Sequence, residues 1–63
     1  MRLHESIRLM RKARGMKATD VSRMTGINKS TISQIENGRL NTTIDKAERI
    51  ADALGCDVVL VPR

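Results

Sequence analysis

The chain has no phenylalanine, tyrosine or tryptophan. A core built from 63 residues without aromatic rings is marginal alone, because small domains bury too little surface. An internal disulfide is excluded as the remedy, since Cys56 is the single cysteine. A lone thiol also suits a reducing compartment. Zinc is excluded by the same scarcity: Cys56 and His4 are the only soft ligands, too few for a structural site. A second copy of the chain is left as the expected support. No apolar run approaches the ~20 residues of a membrane span. The stretch Met1-Arg2-Leu3-His4-Glu5 lacks the apolar run of a signal peptide. The expectation is a soluble, cytoplasmic, single-domain protein with no membrane partner.

Acidic residues are scarce in the first part of the chain. Residues 1–39 hold nine Lys/Arg against three Asp/Glu, a balance of +6, whereas residues 40–63 hold three against four, a balance of −1. A basic front and a near-neutral back suit a polyanion on one side. A merely solvated basic surface has the same composition, so charge alone does not separate the two readings.

The spacing of apolar residues predicts four helices. Leu3, Ile7, Met10 and Ala13 recur at helical intervals, with Leu9 alongside, and Gly15 stops a first helix over about 3–14. Arg8, Arg11, Lys12 and Arg14 form its outer face. A second helix spans about 18–25, with Val21 and Met24 inward, Ser22 small enough for close approach, and Gly26 as its stop. Lys17 is a poor N-cap, although Thr19 and Asp20 suit the first turn. Asn28 caps a third helix, Ile27 and Ile32 make a hydrophobic staple, and Asn37-Gly38 closes it about two turns on. Lys29, Ser30, Ser33, Gln34 and Asn37 face outward. Thr43 caps a fourth helix from Ile44 to about Leu54, whose apolar face is Ile44, Ala47, Ile50, Ala51 and Leu54.

The last stretch is β-prone. Val58, Val59, Leu60 and Val61 run together before Pro62, and the chain offers no second strand to pair with them. An unpaired apolar edge invites association. The expectation is an antiparallel strand paired across a two-fold axis in a homodimer. Residues 1–55 then form the helical domain and 56–63 its dimerisation strand.

Other residues have plain structural readings. Cys56 is expected to be a small buried residue, since nothing cationic is certain to sit beside it. His4 is expected at the surface, and Met10, Met16 and Met24 as gap-fillers in the core. No Ser/His/Asp set, Cys/His pair, carboxylate pair or phosphate-cradling loop occurs at usable spacing, so neither an enzyme nor a cofactor is expected.

Two short helices meeting at a turn with Gly26, the second ending in Glu36-Asn37-Gly38, look like a helix-turn-helix. The ordered set Gly26-Ile27 through Ser30-Thr31-Ile32-Ser33-Gln34-Ile35-Glu36-Asn37-Gly38 resembles the Xre/Cro/CI family of DNA-binding regulators. The resemblance covers about residues 5–55. It implies a lambda-repressor-like, mostly α fold that sets the third helix in the major groove of double-stranded DNA. The positions of Asn28, Lys29, Ser30, Ser33 and Gln34 then approach base edges. Lys29 suits guanine O6 and N7, Gln34 suits adenine N6 and N7, and the serines donate or accept as needed. Asn37, Arg39, Asn41 and Thr42 match the loop that grips phosphate. Where the family often has Ser/Thr-Gln opening the second helix, this chain has Lys17-Ala18, so Lys17 replaces that phosphate contact as a mobile charge. Arg11 and Glu36 match a family pair that forms a buried ion pair. The segment from Asn41 onward resembles the C-terminal part of HipB-like antitoxin regulators, which are dimers joined partly by an intersubunit sheet. The resemblance implies a transcriptional regulator, with repression by occlusion the simpler mode. An antitoxin that also binds a toxin protein, and a phage repressor or restriction-modification controller, remain the alternatives.

Overall fold

Short polar caps open two of the helices, and a glycine at positive φ follows each of the four. The computed structural model describes residues 2–62 and places four helices among them: α1 Leu3–Ala13, α2 Ala18–Thr25, α3 Lys29–Glu36 and α4 Ile44–Ala53. Met1 and Arg63, the outer ends of the expected ranges 1–55 and 56–63, lie outside the described residues. The Asn28 side chain accepts from the Ser30 N–H at 2.9 Å, and Thr43 Oγ1 accepts from the Lys46 N–H at 3.2 Å. Each satisfies an amide that the first helical turn leaves without a partner. At the opposite end of α3, Gly38 takes φ +71°. There the Gly38 N–H returns to the Ile35 carbonyl at 3.0 Å and the Arg39 N–H to the Gln34 carbonyl at 2.9 Å. This is a Schellman motif, and its left-handed residue is glycine because a Cβ is strained there. α1 and α4 end in the same pair of bonds.

α2 lies between α3 and α4, while α1 packs on α3. Their shared core is Ile7, Val21, Ile27, Ile32, Ile35, Ile50 and Leu54, with Met16, Ala18 and Cys56 packed at its edge. Ala47 and Ala51 bring α4 close. The expected staple is present as burial: Ile27 is 6% exposed and Ile32 is fully enclosed.

Several apolar expectations are corrected. Met24 is 59% exposed and Ile44 65%, so neither points inward. α2 has only eight residues, and its buried face is filled by Val21 and the close-packed Ala18 and Ser22. Met10 and Leu3 are only partly covered, leaving Ile7 as the sole buried residue of α1. Ala13 is exposed as well. The helical period correctly found the α1 stripe, but a core this small covers only its middle.

Residues 56–62 form no helix or strand. Val58 is half-buried, whereas Val59, Leu60 and Val61 are 69%, 100% and 76% exposed. The expected strand is not formed here, and the described residues offer no strand edge to pair with it. A cleft of about 240 Å³ opens beside this tail, lined by Leu3, Met10, Ala47, Leu54, Val58 and Val59 among others.

Candidate nucleic-acid interface

α3 is two-faced because its apolar residues, Ile32 and Ile35, fall on one side, continued by Ile27 before the cap. Ile32 and Ile35 are sealed in the core, and Glu36 is 6% exposed. That register turns Lys29, Ser30, Ser33 and Gln34 to solvent, with Asn28 and Asn37 exposed at the two ends. Lys29 and Gln34 have no side-chain hydrogen bond among the described residues. Their ammonium and amide groups are free to meet a ligand.

The polar groups at the ends are partly committed. Asn28 Oδ1 receives the Ser30 N–H at 2.9 Å and the Ser30 hydroxyl at 2.8 Å. Asn37 turns its amide back, and Nδ2 donates to the Ser33 carbonyl at 2.9 Å. Asn37 faces outward as expected, and its amide also closes the helix C-terminus.

The turn joining α2 to α3 is held by side chains that replace missing backbone bonds. The Ser22 hydroxyl donates to the Ile27 carbonyl at 2.6 Å, so Ser22 ties the turn as well as saving space. Thr25 Oγ1 donates to the Val21 carbonyl at 2.7 Å and accepts from the Ile27 N–H at 3.1 Å. The Thr25 hydroxyl thus ties the end of α2 to the start of the turn. The orientation of α3 relative to α2 is fixed by these bonds and by Ile27 and Ile32 beneath them.

Arg11 ties α1 to α3. Its Nε donates to Glu36 Oε2 at 2.7 Å and its Nη2 to Glu36 Oε1 at 2.9 Å, a bidentate fork. Nη1 donates to the Met16 carbonyl at 2.9 Å. The hydrogen bond to Glu36 raises the Arg11 pKa above its ordinary value, opposed by burial and helped by the Glu36 charge. Arg11 therefore also anchors the turn that delivers Lys17.

Lys17 opens α2 with no side-chain cap of its own. Asp20 supplies the missing bond, accepting from the Lys17 N–H at 2.8 Å, and Arg23 Nη2 reaches Asp20 at 3.1 Å. The backbone bond, with lesser help from the Arg23 and Lys17 charges, lowers the Asp20 pKa. The Lys17 ammonium stays exposed. Arg39 and Asn41 are exposed beyond α3, and Thr42 is half-buried with its hydroxyl on the Thr43 carbonyl at 3.3 Å. Lys17 at the start of α2 and the 39–42 loop are thus connected to opposite ends of the α2–α3 unit.

Three side chains do structural work that the spacing did not reveal. His4 is half-buried against Gly38: a Cβ there would lie 3.0 Å from His4 Nε2. With Leu40, Asn41 and Thr42 it lines a recess under the polar loop. Arg14, expected on the outer face, donates through Nε to the Leu54 carbonyl at 3.0 Å, and its Nη2 lies 3.9 Å from Cys56 Sγ. Cys56 is half-buried and does have a cationic neighbour. Arg49 donates to the Thr25 carbonyl at the end of α2. Such contacts join residues 24 to 42 positions apart and leave no local signal.

Among the described residues, no three His, Cys, Asp or Glu converge as a metal site, and no helix is long and apolar enough to cross a membrane. No curated protein matches the sequence. A helix-turn-helix family model matches residues 7–61, from the buried Ile7 of α1 through most of the tail. With that match over most of its length, and with α2, the Gly26 turn and the two-faced α3 arranged as described, the chain belongs to the helix-turn-helix family of the Xre/Cro/CI type and is a DNA-binding transcription regulator.

Proposed function

We propose that the protein acts as a dimer, reads an inverted-repeat operator with α3 in the major groove, and represses by occluding the promoter. It works by binding, with no catalytic step. The observation that carries the reading is the division of α3: a sealed apolar rear and an exposed polar front of Lys29, Ser30, Ser33 and Gln34. A helix in the major groove must present donors and acceptors that distinguish base edges, and these residue types do so. Lys17, Arg39, Asn41 and Thr42 serve the sugar-phosphate contacts that fix register. The remaining amide hydrogen of Asn37 serves the same contacts.

The tail supports the dimer. Val59, Leu60 and Val61 are apolar and open to water, and residues 57–62 make no backbone hydrogen bond to the rest of the described chain. Pairing with the same segment of a second copy satisfies those backbone groups and covers the side chains. A dimer also spaces two copies of α3 by one DNA turn, ~34 Å.

Selection from random duplexes, paired with sedimentation at micromolar concentration, tests the proposal. The expected result is a dimer and a recovered inverted repeat. Val59→Pro, which removes a ladder donor, is expected to weaken the dimer and operator binding together while α3 is untouched. A folded wild-type monomer, or a recovered site without two-fold symmetry, refutes it.

A further inference from the structure

The start of α3 carries a hydrogen-bonding polarity that residue types alone leave open. Asn28 Oδ1 receives two donors, the Ser30 N–H at 2.9 Å and the Ser30 Oγ at 2.8 Å. A backbone N–H can only donate. The Asn28 atom facing it is therefore the carbonyl oxygen, and the amide cannot be turned the other way without breaking the helix cap. That oxygen has no proton, so the Ser30 hydroxyl must spend its own proton on it. What remains outward is fixed: Asn28 offers the hydrogens of Nδ2, and Ser30 offers lone pairs only.

We propose that Asn28 and Ser30 read DNA with opposite polarity, Ser30 accepting from the exocyclic amine of an adenine or cytosine and Asn28 donating to base acceptors. This rests on the reading that α3 enters the major groove. In that groove the amines are adenine N6 and cytosine N4, and the acceptors are guanine N7 and O6, adenine N7 and thymine O4. Both side chains are exposed, and each has one polarity already consumed. Ser33 differs. Its Oγ has only a long contact with Asn37 Nδ2, at 3.5 Å, as acceptor, so its proton stays available. Two serines one turn apart on α3 are thus not equivalent: Ser30 is an acceptor and Ser33 is able to donate.

Base analogues in a selected operator test the assignment with the full-length protein. The position read by Ser30 is first found as the one whose preference flattens in Ser30→Ala. The exocyclic amine there is then deleted, replacing adenine by purine or cytosine by 2-pyrimidinone. For the wild type, the deletion is expected to weaken binding about threefold to tenfold, the worth of one hydrogen bond. For Ser30→Ala the same deletion is expected to change nothing. Asn28→Asp serves as the second variant. Aspartate caps helices as well as asparagine, so Ser30 still donates to it while the outward donor is gone. It is expected to keep the full response to amine deletion and to lose the response to 7-deazapurine at the neighbouring position. The assignment is overturned if Ser30→Ala flattens no position, or if its loss couples to the acceptor analogues and not to the amine. A wild type that selects no preferred sequence refutes the underlying major-groove reading instead.

Discussion

Replacing Arg11 with alanine strands Glu36. In the native fold Glu36 is 6% exposed and takes two hydrogen bonds from Arg11, at 2.7 and 2.9 Å. The Met16 carbonyl loses its 2.9 Å bond in the same step. Removing one partner of a buried pair costs about 3–5 kcal/mol, because the remaining charge has neither water nor counter-charge. At about 0.05–0.15 kcal/mol per residue, a domain of this size holds only about 3–9 kcal/mol in total. The substitution should therefore lower the melting midpoint by ~12–40 °C, at about 4–8 °C per kcal/mol for a small domain. Changing both partners to apolar residues, Arg11→Met with Glu36→Leu, removes the stranded charge and should restore stability to within about 1 kcal/mol of wild type or above it. Urea unfolding followed by far-ultraviolet circular dichroism suits a chain with no tryptophan or tyrosine. All variants must be compared at one protomer concentration, since association adds to apparent stability. A loss below about 1 kcal/mol for Arg11→Ala would place the pair with ordinary surface pairs and refute the reasoning. So would a double variant as unstable as the single one.

The other expectations concern separate parts of the fold. Gly38→Ala should cost about 1–2 kcal/mol for a left-handed alanine, plus a clash with His4; adding His4→Ala should recover the clash alone, and equal melting of the two variants would dismiss that contact. On the cognate site Lys29→Ala and Gln34→Ala should each cost about 1–3 kcal/mol and little on random duplex, whereas Arg39→Ala should weaken both more evenly; titration of labelled duplexes separates the cases. Asp20 has a lowered pKa in the folded chain, so its contribution is fully present above the ordinary carboxylate value, about 3.9, and fades as pH falls below it. The stability difference between wild type and Asp20→Asn should accordingly narrow below about pH 4, and a constant difference would show that Asp20 does not titrate in this way.

Helix positions were legible because their signals are local. Asn28, Thr43 and the glycines after α1, α3 and α4 mark their own caps, and Ile27 with Ile32 and Ile35 sets the buried side of α3 without reference to any other helix. The Arg11–Glu36 contact followed from resemblance, since nothing in the spacing of residues 25 positions apart joins them. Tertiary coverage leaves no such local signal. Met24, Ile44 and Met10 occupy helical apolar positions, but whether another element covers them depends on how four short helices pack. The family resemblance implies that Asn28, Ser30 and Asn37 meet DNA. The structure adds that each first satisfies the ends of α3, which narrows what its remaining groups can do.

The arginine contacts have a further consequence, in the ion exchange that accompanies DNA binding. The chain carries twelve Lys and Arg residues. Arg11 and Arg23 are held by carboxylates, and Arg14 and Arg49 by carbonyls at helix ends. Lys12, Lys17, Lys29 and Lys46 have no side-chain partner among the described residues. These four arginines thus act as internal tethers, whereas the lysines, Arg8 and Arg39 carry loose charge among the described residues. A phosphate can recruit Lys17 or Arg39 without breaking an internal bond, but Arg14 or Arg49 would first have to release a carbonyl. Each phosphate neutralised releases condensed cations and adds about −0.9 to the slope of log affinity against log salt. That slope should count Lys17, Arg39 and the other untied cations that meet the backbone, a smaller number than the basic composition suggests.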